Sequence, residues 1–322
     1  MIHFRLRLVA KPLNIDSEDV ISFTMMRPEP ISVELRRLAD AELGKHYRKG
    51  DVLCTAVLKK MPTRKISLWV AKPEGPLPAG FSDFTHEAHH ALSDAAVHAL
   101  KLWRWRLGYP TEPNPVRFLK SFEWSANRND WTPIPNVFKL NISFDFPIRK
   151  NPKVTEDIVN SLKSLSLDNT QEPLGHELFQ EAWSQRDDNP RSSLVMGIAA
   201  AETGVKHLIS TLVPAAAWLV EEIPSPPLVQ ILEKYVPSLP ARLPINGKVL
   251  PPPDWLMKII TKGVQLRNKI VHGHQTELKS DSLREILVAV RDLLYLYDLY
   301  AGHDWAVQYL SVRMVSSLRN EA

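Results

Sequence analysis

Apolar and polar positions alternate along the first half of the chain and recur every three or four residues along the second. "IHFRLRLV" (2–9), "VISFTMM" (20–26), "DVLCTAVL" (51–58), "KISLWVA" (65–71), "VRFLKSFEW" (116–124) and "FKLNISFDF" (138–146) carry the period of two expected of strands. Helical spacing interrupts them near 31–43 and 84–107. Together these predict an α+β domain over residues 1–150, built on a mainly antiparallel sheet.

A charged, proline-bearing stretch follows. Residues 151–173 read as a linker with a short helix near 155–165. The remainder, 174–322, reads as an all-α helical bundle. Its helices are expected at 176–187, 190–212, 226–235, 254–271, 280–301 and 303–319. Asn189 before Pro190 is a good cap followed by proline at the first helical position, and Asp254 opens the third long helix. Residues 223–253 are proline-rich and read as an ordered insertion.

Composition narrows the function classes. The 322 residues include one cysteine, Cys54, so neither a disulfide framework nor a cysteine zinc cluster forms within one chain. "MIHFRLRLVA" alternates as a strand does and lacks the apolar core of a secretory leader. "LVPAAAWLV" (212–220), the longest nearly apolar run, is too short to span a bilayer and contains Pro214. The expectation is a cytoplasmic protein without a membrane partner. Net charge is +4, unevenly spread: residues 172–322 hold 15 basic and 17 acidic side chains, residues 1–171 hold 25 and 19. Attraction to a polyanion therefore belongs to the N-terminal half.

Three segments there carry candidate chemistry. "HEAHH" (86–90) matches H-E-x-x-H, with His86 and His90 as zinc ligands and Glu87 as base. Ser82 or Thr85 would start that helix, which leaves His86 in the first turn. No third ligand follows at the usual spacing, so a solvated polar face is the preferred reading and a zinc hydrolase the lesser alternative. "LWRWRLGYP" (102–110) interleaves Trp103 and Trp105 with Arg104 and Arg106. It would either clamp single-stranded nucleic acid or, as preferred, pack its tryptophans inward while the arginines snorkel. The polar loop "SANRNDWTP" (125–133) is the third.

The C-terminal half offers a sharper constellation in "QLRNKIVHGH" (265–274). Leu256, Ile260, Gly263, Val264, Arg267 and Val271 form one stripe along the helix from 254. A charged residue on that stripe needs a partner. Arg267 and His272 are five residues apart, roughly 140° around the axis, and so do not pair as helix neighbours. Asn268 precedes His272 by one turn on a polar row, and Gly273 offers a helix stop. "RNKIVH" (267–272) resembles the Arg-x4–6-His motif of HEPN domains, small helical bundles found in prokaryotic ribonucleases, toxins and defence proteins. "SSLVMGIAAAETGVKHLIS" (192–210), with Glu202, is similar to the family's second helix, and "SLREILVAVRDLLYLYDLYAGHDWA" (282–306) to its long last helix. The resemblance covers roughly 174–312.

The resemblance implies a homodimer in which two Arg–His pairs converge, so that Arg267 meets a partner copy. It implies metal-independent endoribonuclease activity without a cofactor, in a toxin or antiviral defence setting, on an RNA substrate. His272 then moves the proton, Arg267 holds the phosphate and Asn268 orients; Glu202 is a supporting candidate that pairs with Arg267, and His274 a rival to His272. The products implied are a 2′,3′-cyclic phosphate and a 5′-hydroxyl. Non-catalytic relatives make a dimerisation or binding module the alternative. A structural reading remains open beside both: Arg267 bridged to Glu202, with His272 capping the helix. The N-terminal domain is left the role of sensing a trigger, with any regulatory partner unidentified, or of positioning substrate.

Overall fold

The computed structural model describes residues 1–11, 15, 19–27, 29–39, 42, 47, 50–72, 78–108, 114–134, 154–222, 227–245, 249–274 and 278–321. The chain divides into two compact units, Met1–Leu107 with Asn114–Gln171, and Gly108–Pro113 with Glu172–Ala322. The first is α+β on an antiparallel sheet and the second is helical, as the hydrophobic periods imply.

Six strands form the sheet of the first unit: β1 (Ile2–Ala10), β2 (Val20–Arg27), β3 (Glu29–Arg37), β4 (Val52–Lys60), β5 (Val116–Ser125) and β6 (Thr132–Pro133). Their order is β2-β3-β4-β1-β5-β6, antiparallel throughout. Period-two patterning places Phe4, Leu6 and Leu8 on one face with Ile31, Val33, Leu35, Ala56 and Leu58, all buried. Helices α1 (Arg64–Ala71), α2 (Phe81–Arg106) and α3 (Glu156–Leu167) belong to the same unit. Phe84 of α2 meets Phe4 edge-on at 5.4 Å between ring centres. Ser166 of α3 donates to the Thr24 carbonyl at 2.8 Å, so the short helix expected within a linker packs against β2.

Two segments adopt the other period. The stretch near 31–43, expected to be helical, begins as strand β3. Its Glu, Leu and Arg residues favour helix in isolation, but pairing on both sides with β2 and β4 buries Ile31, Val33 and Leu35 and overrides that preference. Conversely, 65–71 is helix α1 rather than a strand. Thr63 caps it by accepting from the Ile66 amide at 3.4 Å, and of the apparent alternation Ile66 is buried while Leu68 is exposed. The strand expected at 138–146 lies outside the described residues.

The second unit comprises α4 (Leu174–Gln185), α5 (Pro190–Leu212), α6 (Ala217–Glu222), α7 (Leu228–Gln230), α8 (Asp254–Val271), α9 (Ser280–Ala301) and α10 (Val312–Glu321). Asn189 caps α5 by accepting from Ser192, with Pro190 in its first turn. Helix α5 lies against α4, α8 and α9. Small residues set those approaches: a Cβ added to Gly175 would stand 2.9 Å from the Ala200 carbonyl oxygen, and one added to Gly204 would stand 2.6 Å from Leu294. The proline-rich insertion holds α7, a π-helical turn (Ile231–Tyr235) and a 3-10 turn (Val236–Ser238). It is latched to α9 by the Tyr300 hydroxyl, which donates to the Leu250 carbonyl at 2.9 Å and accepts from its amide at 3.1 Å. The expected helix over 303–319 is two pieces, a 3-10 turn (Asp304–Tyr309) and α10. They part at Ser311, whose amide and hydroxyl both donate to the buried Asp292 carboxylate, at 2.9 and 2.5 Å.

Candidate functional site

Helix α8 rises out of the core along its own apolar stripe. Leu256, Ile260 and Gly263 are buried, Val264 is half-buried, and Val271 is 59% exposed. Gly263 marks a close approach: a Cβ there would meet Ile198 of α5 at 2.9 Å and Ile286 of α9 at 3.0 Å. The neighbours admitted are side chains. One turn later Arg267 sits where the stripe surfaces, and its Nη2 is ion-paired with Glu202 Oε1 on α5. The two side chains are 18% and 13% exposed. The charge expected to meet a partner copy is thus matched inside its own chain. Burial pushes the Glu202 carboxyl up, against the pull of Arg267 and Lys206.

Beyond Arg267 the helix closes with a Schellman arrangement. His272 is its C-cap, the Gly273 amide donates to the Ile270 carbonyl and the His274 amide to the Lys269 carbonyl, each at 3.0 Å. Gly273 has φ +80°, which an L-residue adopts at a cost. Asn268, His272 and His274 are all exposed. The structure therefore joins Arg267 to Glu202 and sets Asn268 and His272 on the solvent side of the same helix end. A shallow groove of about 360 Å³ lies alongside, its apolar part formed by Val195, Met196 and Ile270 and its rim by Gln185, Arg191 and Ser192.

The "HEAHH" segment lies within α2, which starts at Phe81 after Gly80 rather than at Ser82 or Thr85. His86, Glu87 and His90 are exposed; Glu87 binds Lys60 at 2.5 Å and His90 binds Asp94 at 2.9 Å. Among the described residues no three His, Cys, Asp or Glu side chains stand together as a metal site. In "LWRWR" all five side chains are buried, arginines included. Arg106 does not snorkel: its Nε donates to Ser161 Oγ at 2.5 Å and its Nη2 to Asp157 at 3.0 Å, both on α3. The segment ties α3 to α2 and offers no stacking surface to a nucleic acid.

Sequence reasoning passed over a buried pair in the second unit, His176 Nε2 and Asp298 Oδ2, 2.9 Å apart, with Tyr295 against the histidine ring. The two lie in different helices, 122 positions apart, so no local motif announces them. Among the described residues, no helix is long and apolar enough to cross a membrane. Comparison with protein-family models, with curated proteins and with solved structures finds no match to this chain.

Proposed function

We propose that the chain is a metal-independent endoribonuclease of HEPN type, acting as a homodimer, with the C-terminal turn of α8 as its centre. One observation carries the reading. Arg267 is anchored by Glu202 at the rim of the bundle while Asn268 and His272, one turn apart, face solvent at the same helix end. RNA supplies its own nucleophile, the 2′-hydroxyl. In this reading His272 transfers the proton between that hydroxyl and the leaving 5′-oxygen. The Arg267 guanidinium has five N–H donors, and the fork left beside Glu202 is available to a phosphate oxygen. Asn268 orients the histidine or the phosphate. The apolar groove beside Ile270 and the exposed Val271 support a second copy covering this end. A toxin or antiviral setting, and any partner that restrains the activity, rest on the family resemblance.

The Arg267–Glu202 pair also favours a second reading, a non-catalytic helical binding module in which Arg267 only joins α5 to α8. The test separates them. Wild-type and His272→Ala proteins are incubated with total RNA in excess EDTA, and the ends are mapped. Cleavage to 2′,3′-cyclic phosphates by wild type, reduced about a hundredfold or more in the variant, is the expected result. Equal cleavage by both, or none by either from a confirmed dimer, would leave the module reading.

A further inference from the structure

The sheet of the first unit has a second face, and its chemistry is unlike the first. Cross-strand register places Ser32, Glu34 and Arg36 of β3 beside Leu53, Thr55 and Val57 of β4, and these beside Arg5 and Arg7 of β1. Among the described residues no helix packs on this face: α2 and α3 both lie on the other. A small cluster of Val9, Leu38 and Leu53 with Tyr47 and Phe118 closes one end. The other end is closed by the polar loop after β5. Ser125 Oγ accepts from the Arg128 amide at 2.9 Å, and Asn127 Oδ1 accepts from the Asn129 and Asp130 amides at 2.9 and 3.0 Å. This folding holds Arg128 at φ +70° with its Nε donating to His3 Nδ1 at 3.1 Å, and seats Trp131 4.0 Å from the Arg5 guanidinium. Between the two ends lies a recess of about 470 Å³.

The floor of that recess is small and neutral, Thr55, Val57 and Ser32, and its walls set Arg5, Arg7, Arg36 and Arg128 against one lining carboxylate, Glu34. A single carboxylate, Glu123, serves both Arg5 and Arg7, at 2.6 and 2.7 Å, while Arg36 is matched by Glu42. Arg128 meets an imidazole rather than a carboxylate. The lining thus keeps an excess of positive charge and unspent guanidinium N–H donors around a neutral floor, with an indole at the rim.

We propose that this recess binds single-stranded nucleic acid, with phosphates along Arg7, Arg36 and Arg128 and a base stacked at Trp131. Charge complementarity selects a polyanion, and the Trp131–Arg5 stack selects one with accessible base faces, which a duplex lacks. The proposal does not depend on chemistry at α8.

The test is fluorescence anisotropy of a labelled 12-nucleotide RNA, its DNA counterpart and its duplex, with the 322-residue chain carrying His272→Ala so that the probe stays intact. The affinity of this protein should fall roughly twentyfold between 50 and 200 mM salt, as neutralising about three phosphates of a single strand predicts. Thr55→Glu places a carboxylate on the floor without breaking an ion pair and should weaken binding at least tenfold; Thr55→Lys should tighten it. A folding defect would weaken both, so opposite signs locate the site. Trp131→Ala should cost at least fivefold. No effect of either Thr55 substitution, equal affinity for a duplex, or displacement by an acidic peptide as readily as by RNA would each overturn the proposal.

Discussion

Glu202→Gln removes one charge and almost no volume, and it tests whether the α5–α8 ion pair anchors Arg267. A surface pair contributes about 0–1 kcal/mol, whereas breaking a fully buried pair costs about 3–5 kcal/mol. With side chains 18% and 13% exposed, the pair lies between these limits, nearer the buried one. Two effects soften the loss. Glutamine keeps an acceptor for the guanidinium, and removing the carboxylate relieves the burial that already pushes Glu202 up. The expected destabilisation is therefore about 1–2 kcal/mol. Arg267→Met strands a carboxylate instead of a guanidinium and should cost about 2–3 kcal/mol, because the orphaned acid is mostly buried. The double variant should cost less than the sum, leaving a coupling of about 1–2 kcal/mol. Urea unfolding of the four proteins at pH 7, followed by far-ultraviolet circular dichroism, gives each value. A coupling below about 0.5 kcal/mol would refute the anchoring argument and, with it, the support it lends to the α8 site.

Three further outcomes follow from the same geometry. Gly273→Ala forces a Cβ into φ +80° in the Schellman turn and should destabilise by about 1 kcal/mol in urea melts, although the added atom meets nothing within 4 Å. Gly204→Ala sets its Cβ against Leu294 and Tyr297 and should cost about 1–3 kcal/mol through overpacking; a neutral result would show that α5 and α9 separate easily. Burial lowers the pKa values of His89 and His303, so the unfolded chain binds more protons than the folded one between their depressed values and about 6.5. Their contribution is present above pH 6.5 and is lost as pH falls through that window. Thermal melts from pH 7.5 to 5.5 should show the decline, and His303→Gln should flatten it; an unchanged slope would assign the decline elsewhere.

Where a segment's own pattern matched its environment, it was readable. The spans 190–212, 254–271 and 280–301 are helices to the residue, because their apolar stripes agree with the helical period, with an Asn189 cap at the start of the first and a Gly273 stop after the second. "ELRR" in β3 and "KISLWVA" in α1 misled because neighbours decide them: two flanking strands in one case, a threonine cap in the other. The arginines of "LWRWR" were misplaced for a related reason. Only the fold brings Ser161 and Asp157 to Arg106, and without those partners a buried guanidinium is implausible. The recess on the open sheet face was hidden more thoroughly. Its basic side chains come from β1, β3 and the loop after β5, and only strand register makes them neighbours.

The gradient of burial along α8 bears on how Arg267 should be understood. A charged residue in an apolar stripe is anomalous only if the whole stripe faces the core, and this one does so as far as Gly263. Arg267 then occupies the position where solvent begins, close enough to α5 to find Glu202 and far enough out to keep part of its fork accessible. Its placement therefore needs no second copy. Val271 is different: it continues the stripe one turn further, 59% exposed, with no polar reason to be there. The apolar groove beside Ile270 lies along the same helix end. A covering partner is thus argued from Val271 and the groove rather than from the arginine, so that the proposed dimerisation and the proposed catalysis are separately testable at one helix terminus. Under the proposed function, Arg267 and His272 would bear on cleavage, while Val271, Ile270 and Met196 would bear on assembly.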